Sequence, residues 1–596
     1  MAHPKNKIEQ PMQQNNKTLF IAVSLIAILV SFIYSYKLKW LGDDIFIALR
    51  YVQNFIDGKG LVYNAGERVE GFTDFLWLML ISLFSKLHFN PLTTTQTLGI
   101  LSSIGTLTLF SIIGYKISNK HNVFILPFIT LALALNYDYN IWATSGLETS
   151  FYSFLLGASF YTFFFSDLKE NTKLMLTGLF LILAMMTRPD ALLITFGVNG
   201  LLVLNQLLNK TKLSKIISML LFFNLAFFII YIPYFIWRYN YYGFIFPNTY
   251  YVKLGNETLF SKGFFYLWLY FKPHFTSFLI IILPPLVLWP ALKGKPLARL
   301  KEYAADRWNA AFLTSIIVVY AYLILFVAKV GGDFMHARFI IPVAPFIYFI
   351  IFYSLLNYFS KKNLNIALTV LLLCSIPETQ IRADVFKAPD KDGKIITTLN
   401  RDVADEQWVY TTYLPIENEM KLGKALHKTF EGIDANLLVR GGQGCMAYFA
   451  NFNYEQEYHG LTDTLIAHSK IAQRGRIGHE KHATNEYLQN KGIQFLFNRS
   501  PITKDQYKYA QLEIGNFKIR TEIITYHNKI IEQLKQRLGD GFKFTDFQLY
   551  LDDYIQNKLL AVSKAELQKD YNDYYLYYFK HNDDKVRENK FLEALK

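Results

Sequence analysis

Two adjacent carboxylates, Asp43 and Asp44, open a polar stretch between two apolar runs. Aspartate is favoured at the N-cap and in the first turn of a helix, and that accounts for one of the two. A pair at the mouth of a helix bundle also suits acid–base chemistry, because a positioned carboxylate can take a proton from a hydroxyl. More ionisable groups punctuate the later apolar runs. They are Glu148 in Ser145-Gly146-Leu147-Glu148-Thr149, Arg188-Pro189-Asp190, Arg238 and Lys253 on either side of 242–251, and Asp333 and Arg338 around Gly331-Gly332. Guanidinium and ammonium groups suit a phosphate, which arginine can bind bidentately. Any one of them alone reads more readily as a snorkelling side chain or a structural ion pair. Gathered at helix ends on one membrane face, where charge is costly unless paired or wet, the set marks a polar cavity. With apolar surroundings for a tail, it fits a lipid phosphate handled at the outer leaflet.

The elements that must position these groups are membrane helices. Of 596 residues, 52% are hydrophobic, 17% aromatic and only 18% charged, too apolar for an ordinary soluble chain. The long Leu/Ile/Phe runs fill 18–380, whereas 381–596 returns to a soluble mixture. The expected fold is mainly α: a polytopic transmembrane bundle followed by a C-terminal soluble α/β domain. The first run, 19–36, follows Lys5, Lys7 and Lys17 and is too long for a signal-peptide core, so it reads as a retained helix. Others fall near 97–115, 121–136, 149–166, 173–187, 190–207, 216–237, 273–291, 308–328, 339–358 and 363–380. Short basic loops around Lys116/Lys120, Lys169/Lys173, Lys210/Lys212/Lys215, Lys293–Lys301 and Lys361/Lys362 belong on the cytoplasmic side. The loops at 43–72, 137–148, 187–190, 238–253 and 331–338 then face outward. The alternation closes only if 73–90 does not make a full crossing. It gives about eleven crossings, a cytoplasmic tail at 1–17, and 381–596 in the periplasm of a bacterial inner membrane. The formal charge of +14 therefore reads as topology and not as nucleic-acid binding. Two cysteines, Cys374 and Cys445, do not make a disulfide framework.

Within the first outward loop, Ile45, Leu49, Val52 and Ile56 recur at helical spacing over 44–57. Such a helix is expected to lie on the membrane surface, apolar face down, and to end at Gly58 and Gly60. In the tail, Gly442-x-Gly444-x-x-Ala447 mimics a dinucleotide fingerprint but stands alone and on the outward side. No phosphate-binding loop of the G-x-x-x-x-G-K-[ST] kind occurs, which agrees with an energy source carried by an activated lipid. His459, His468, His479 and His482 do not have the spacing of a metal cage. The tyrosine-rich stretch 571–579 reads as packing.

Asp43-Asp44-Ile45-Phe46-Ile47-Ala48-Leu49-Arg50-Tyr51, Gly60-Leu61-Val62-Tyr63-Asn64 and Gly66-Glu67-Arg68-Val69-Glu70-Gly71-Phe72-Thr73 resemble the C-type membrane glycosyltransferases. Within them the nearest likeness is to the terminal β-(1→2)-arabinofuranosyltransferase group and a related Legionella membrane protein. The likeness continues through 145–149, 187–190, 247–251 and 331–338. It reaches the tail at Gly460-Leu461-Thr462-Asp463 and Arg476-Ile477-Gly478-His479-Glu480-Lys481. It implies an inverting transferase that takes a sugar, such as a pentofuranose, from a polyprenyl-phosphate donor to an extracytoplasmic glycan or glycolipid acceptor. It makes Asp43 and Asp44 the catalytic pair. The substrate contacts it implies are Arg50, Glu70, Asp74, Glu148, Arg188, Asp190, Arg238, Asn248, Tyr250, Lys253, Asp333, Arg338, Asp463 and His479. Asp74 departs from the family pattern, which carries Asn after the threonine. No cofactor is read from the sequence, and a divalent cation is left open. The rival from another class is a lipid-linked saccharide flippase. That reading asks for charges near mid-membrane and internal repeats, and neither is evident.

Overall fold

The computed structural model describes residues 12–253, 258–292, 296–389, 395–397 and 399–596. Lys5 and Lys7 of the tail, and Lys293 and Lys295 of one basic loop, lie outside the described residues. The chain forms two compact units. The first comprises Met1–Gly42, Thr73–Ile245 and Asn256–Tyr413, and the second Asp43–Phe72, Phe246–Gly255 and Leu414–Lys596.

The first unit is helical, and its chain is that of a polytopic membrane protein. Among the described residues, six helices are long and apolar enough to cross a bilayer: Gln14–Lys37, Pro91–Lys120, Ala191–Leu208, Arg307–Ala328, Ile341–Tyr358 and Lys361–Val385. A seventh span results if Leu213–Phe223 and Phe227–Tyr242, bent by 48° at their junction, are one element. The bend falls at the break 224–226, directly before a π-helical turn, Phe227–Tyr231, and Pro233, both of which disrupt the ordinary hydrogen-bond ladder. The other four expected runs are helical but shorter or interrupted. The run near 121–136 is helical only over Phe128–Leu135, because Pro127 starts it and the Asn136 side chain starts another helix, Tyr137–Trp142. Thr149–Phe164 has 16 residues, Glu170–Thr187 carries Glu170 in its first turn, and Leu279–Leu292 contains Pro284, Pro285 and Pro290. Among the described residues six or seven helices are thus each long and apolar enough to cross, and the sequence has about eleven apolar runs. Phe75–Lys86 has 12 residues, roughly 18 Å at 1.5 Å per residue, too short to cross. Glycines let these helices approach: a side chain at Gly178 would fall on the Phe223 carbonyl.

The second unit is an α/β fold around a six-stranded mixed sheet. Its strands are β1 (Asn436–Val439), β2 (Tyr454–Glu457), β3 (Phe495–Phe497), β4 (Tyr509–Ile514), β5 (Phe517–Ile523) and β6 (Phe542–Phe544), in the order β6-β4-β5-β3-β1-β2. β1 pairs in parallel with β2 on one side and β3 on the other, with Val439 opposite Glu457 and Leu437 opposite Phe495. The remaining pairings are antiparallel. The core joins Leu437, Val439, Phe495, Phe497, Leu512 and Ile519 to the apolar faces of helices that include Ile416–Phe430 and Asn528–Leu538. Tyr574, Tyr577, Tyr578 and Phe579 are buried in the same core, so the tyrosine-rich stretch packs.

The first-loop helix, Asp44–Ile56, belongs to this second unit. Its apolar face is not laid on lipid: Ile45, Phe46, Leu49 and Val52 are buried in protein, with Phe46 against Tyr448 and Phe449. The physical reason is that two polar members, Arg50 and Asn54, are buried as well, and each finds protein acceptors that a membrane surface would not supply.

Candidate functional site

In the second unit the acidic pair divides. Both carboxylate oxygens of Asp43 accept backbone hydrogen bonds, from the N–H of Gly444 (2.9 Å) and of Cys445 (2.9 Å). Asp43 therefore caps the short helix Gly444–Ala450 that follows β1. A side chain at Gly444 would place its first carbon 3.0 Å from that carboxylate and from the Asp43 carbonyl oxygen, so any larger residue would push the carboxylate back. The turn that mimics a dinucleotide fingerprint is thus filled by the protein's own carboxylate. Burial pushes the Asp43 carboxyl up to about 6; the two N–H donors pull it down, and Asp44 and Glu419 push it further up.

Asp44, in the first turn of its helix, is only half buried and interacts with Glu457 as well as Asp43. Glu457 ends β2 and accepts from the N–H groups of His459 (3.0 Å) and Leu461 (2.7 Å). Burial pushes its carboxyl up to about 7 despite those donors, with Asp44 adding to the rise. Sequence reasoning missed Glu457. The available signal was a glutamate just before the Gly460-Leu461-Thr462-Asp463 motif.

The other second-unit candidates hold segments together. Arg50 donates to the carbonyls of Tyr63 (2.9 Å) and Phe452 (2.8 Å) and pairs with buried Glu455 at 2.6 Å. That leaves its guanidinium committed to tying the first loop to β2. The Asn248 side-chain amide donates to the carbonyls of Gly460 (2.7 Å) and Leu461 (3.0 Å), and its backbone N–H to that of Glu70 (2.9 Å). Tyr250 stacks on Phe246 at 4.4 Å. Asp463 caps the helix Thr464–His468 and accepts from Tyr487 (2.6 Å) and Lys491 (3.0 Å). His479 packs against His459, ring centroids 4.9 Å apart, and Lys253 lies along Gly478.

The first unit gathers a separate group at helix ends. Arg188 pairs with Glu148 (2.8 Å) and Asp190 (2.9 Å), and Arg338 with Glu148 (3.2 Å) and Asp333 (3.6 Å). Tyr322 donates to Asp190 at 2.9 Å, and Asp74, the N-cap of Phe75–Lys86, interacts with Glu148 and Arg338. The carboxylates in contact with the two guanidiniums, Glu148, Asp190 and Asp333, already balance them. The group is therefore poor at attracting a further anion. Arg238 closes its own turn, donating to the carbonyls of Ile245 (2.8 Å) and Phe244 (3.4 Å).

A buried network in the same unit went unnoticed in the sequence. Asp138 accepts from Arg382 (2.7 Å) and faces His274 (2.8 Å) and His336 (3.3 Å). His274 also meets Glu378 (2.9 Å), and Arg382 binds Asp405 in a fork of 2.7 and 3.0 Å. Together with the His336 N–H to Ala404 carbonyl bond (3.0 Å) it anchors the loop carrying Asp333 and Arg338. A histidine at the start of one apolar run, His274, was its sequence signal. Among the described residues no three His, Cys, Asp or Glu side chains gather so as to hold a metal ion, and neither cysteine is bonded.

No protein-family model matches the chain. Over 356 residues it is 26% identical to a terminal β-(1→2)-arabinofuranosyltransferase of Corynebacterium glutamicum, covering 54% of this chain and 48% of that protein. Over 347 residues it is 25% identical to the protein of the same name from Mycobacterium tuberculosis, covering 54% and 53%. The chain spans about half the length of the curated relatives it matches. Among solved structures, apo ArnT from Cupriavidus metallidurans aligns at a TM-score of 0.47 with 11% identity, over 85% of this chain and 97% of that one.

Proposed function

We propose that the chain is an inverting glycosyltransferase of a bacterial inner membrane. It moves a sugar from a polyprenyl-phosphate donor to a glycan or glycolipid acceptor on the periplasmic side, with Asp44 as general base. The observation that carries this reading is the division of the acidic pair: Asp43 has both oxygens committed to Gly444 and Cys445, while Asp44 stays half exposed beside Glu457. The likeness to two curated arabinofuranosyltransferases supports transfer chemistry and makes a pentofuranose such as arabinofuranose the first sugar to try.

In this mechanism the acceptor hydroxyl gives its proton to the Asp44 carboxylate as its oxygen bonds to the anomeric carbon. The bond from that carbon to the donor's phosphate oxygen breaks in the same step, and its electron pair leaves on the prenyl phosphate. A single displacement inverts the centre through an oxocarbenium-like transition state. Fixed cations near the departing phosphate lower its cost. Asp43 acts as a positioning residue, holding Asp44 at the strand ends through the cap it forms.

The test uses the full chain in proteoliposomes with a labelled prenyl-phosphate pentose and acceptor glycan. Asp44→Asn is expected to cut turnover by roughly a hundredfold or more, keep donor binding, and leave the unfolding temperature unchanged. Asp43→Asn is expected to lower the unfolding temperature, because an amide cannot accept both N–H bonds; the loss is roughly 1–2 kcal/mol. Native turnover in Asp44→Asn, or translocation of label without transfer in the unaltered chain, overturns the assignment.

A further inference from the structure

The sheet of the second unit reverses its winding direction at β1. The chain passes from β1 through Gly444–Ala450 to β2 on one side, then through Asn485–Asn490 to β3 on the other. Such a reversal opens a crevice outside the carboxyl ends of the parallel strands, where open α/β sheets hold ligands. Here the first residues past all three strands include a basic group: Arg440 after β1, His459 after β2 and Arg499 after β3.

Other basic groups converge on the same place. The His479 ring stands 4.9 Å from that of His459 and 3.4 Å from where a side chain at Gly441 would begin. Arg440 lies over the Tyr458 ring at 4.6 Å, and Arg499 donates to the Gly442 carbonyl. Lys253 runs 3.5 Å from the corresponding position on Gly478. A histidine and a lysine thus lie in van der Waals reach of the chain at Gly441 and Gly478. Burial holds the His479 ring down to about 3 and the His459 ring down to about 4, and the neighbouring charges add to it: Arg476, His459 and Lys253 around His479, and Arg440, His482 and Arg476 around His459. Asp44 and Glu457 border the same strand ends. The helix that follows β1 contributes nothing to an anion, because Asp43 occupies its amino end.

We propose that this crevice is a phosphate site, in which Arg440, His459 and His479 clamp a phosphate monoester or diester at the carboxyl ends of β1 and β2. The Arg440 guanidinium beside two imidazole rings matches a tetrahedral oxyanion, whose charge offsets the surrounding arginine field that helps to hold the rings neutral. The phosphate can arrive as the headgroup of a prenyl-linked donor or on a free phosphorylated ligand. The first source rests on the transferase reading above; the site itself does not.

The experiment measures binding to the purified full chain in detergent by isothermal titration and thermal shift. The probes are inorganic phosphate, farnesyl phosphate and, as a tail-only control, farnesol. Inorganic phosphate and farnesyl phosphate are expected to bind, and farnesol to show no stabilisation. Arg440→Gln and His479→Gln are each expected to weaken phosphate binding by roughly tenfold with an unfolding temperature close to native, and Arg440→Lys to restore part of it. Tighter binding of farnesyl phosphate than of inorganic phosphate assigns the site to a lipid headgroup; equal binding assigns it to a free phosphate. Absence of binding by both phosphates, or native affinity in both Gln variants, overturns the site. Phosphate binding is read without any sugar transfer, so a failed transferase reading and a failed phosphate site give different results.

Discussion

At the scale of single residues, proton affinity separates the carboxylates of the second unit. Glu457 has its carboxyl raised from 4.5 to about 7 by burial, with Asp44 adding, against the pull of N–H groups of its own loop. A raised carboxyl means that folding favours the protonated form. Its contribution to stability is complete below about pH 4.5 and is lost as the pH climbs through about 7. Glu457→Gln, neutral throughout, removes that loss. Its unfolding temperature in detergent should therefore gain on the unaltered chain as pH rises, by an amount bounded at roughly 3 kcal/mol. A difference that stays constant with pH would contradict the placement. Spacing and type found Asp43 and Asp44, but could not say which was the cap. That depended on where the N–H groups of Gly444 and Cys445 stand, some four hundred residues further on. Arg50 shows the same limit: the resemblance made it a substrate contact, yet it is spent on Glu455 and two carbonyls.

At the scale of elements, the junction of β1 with Gly444–Ala450 is held by the two N–H bonds to Asp43. Gly444→Ala would push a methyl group against the Asp43 carboxylate at 3.0 Å and loosen both capping bonds. A cost of roughly 1–3 kcal/mol is expected. A double-mutant cycle checks the cause: in an Asp43→Ala background the same glycine change should cost less, since the carboxylate it meets is gone and only the Asp43 carbonyl oxygen, also 3.0 Å away, remains. Equal costs in both backgrounds would place the strain elsewhere. Helical periodicity over 44–57 predicted the first-loop helix well. Its partner was misjudged, because an apolar stripe is the same sequence signal whether it meets lipid or protein. Buried Arg50 and Asn54 were the residues that distinguished the two.

At the scale of the whole molecule, the second unit is assembled from three separated stretches of chain. A fragment limited to 414–596 lacks Arg50, which leaves buried Glu455 without its ion-pair partner. It also bares Tyr448 and Phe449, which pack on Phe46, and removes the acceptor from Gly444 and Cys445. Loss of one member of a buried pair costs roughly 3–5 kcal/mol. The fragment alone should therefore unfold at a lower temperature than the same fragment joined by a linker to 43–72. Coincident unfolding curves by circular dichroism would show that the first loop is dispensable to this fold.

Composition and run length by themselves determined that the chain is a polytopic membrane protein with a soluble α/β region after it. Apolar stretches near twenty residues and a shift to mixed polarity are local properties, readable one window at a time. The acidic pair and the basic groups at helix ends were legible for the same reason. Only the tertiary structure decided which charges cancel. Arg188 and Arg338 are balanced by Glu148, Asp190 and Asp333, whereas Arg440, His459 and His479 converge at the ends of neighbouring strands. Pairing depends on which distant segments meet, and charge acts through distance in space, which sequence separation does not encode.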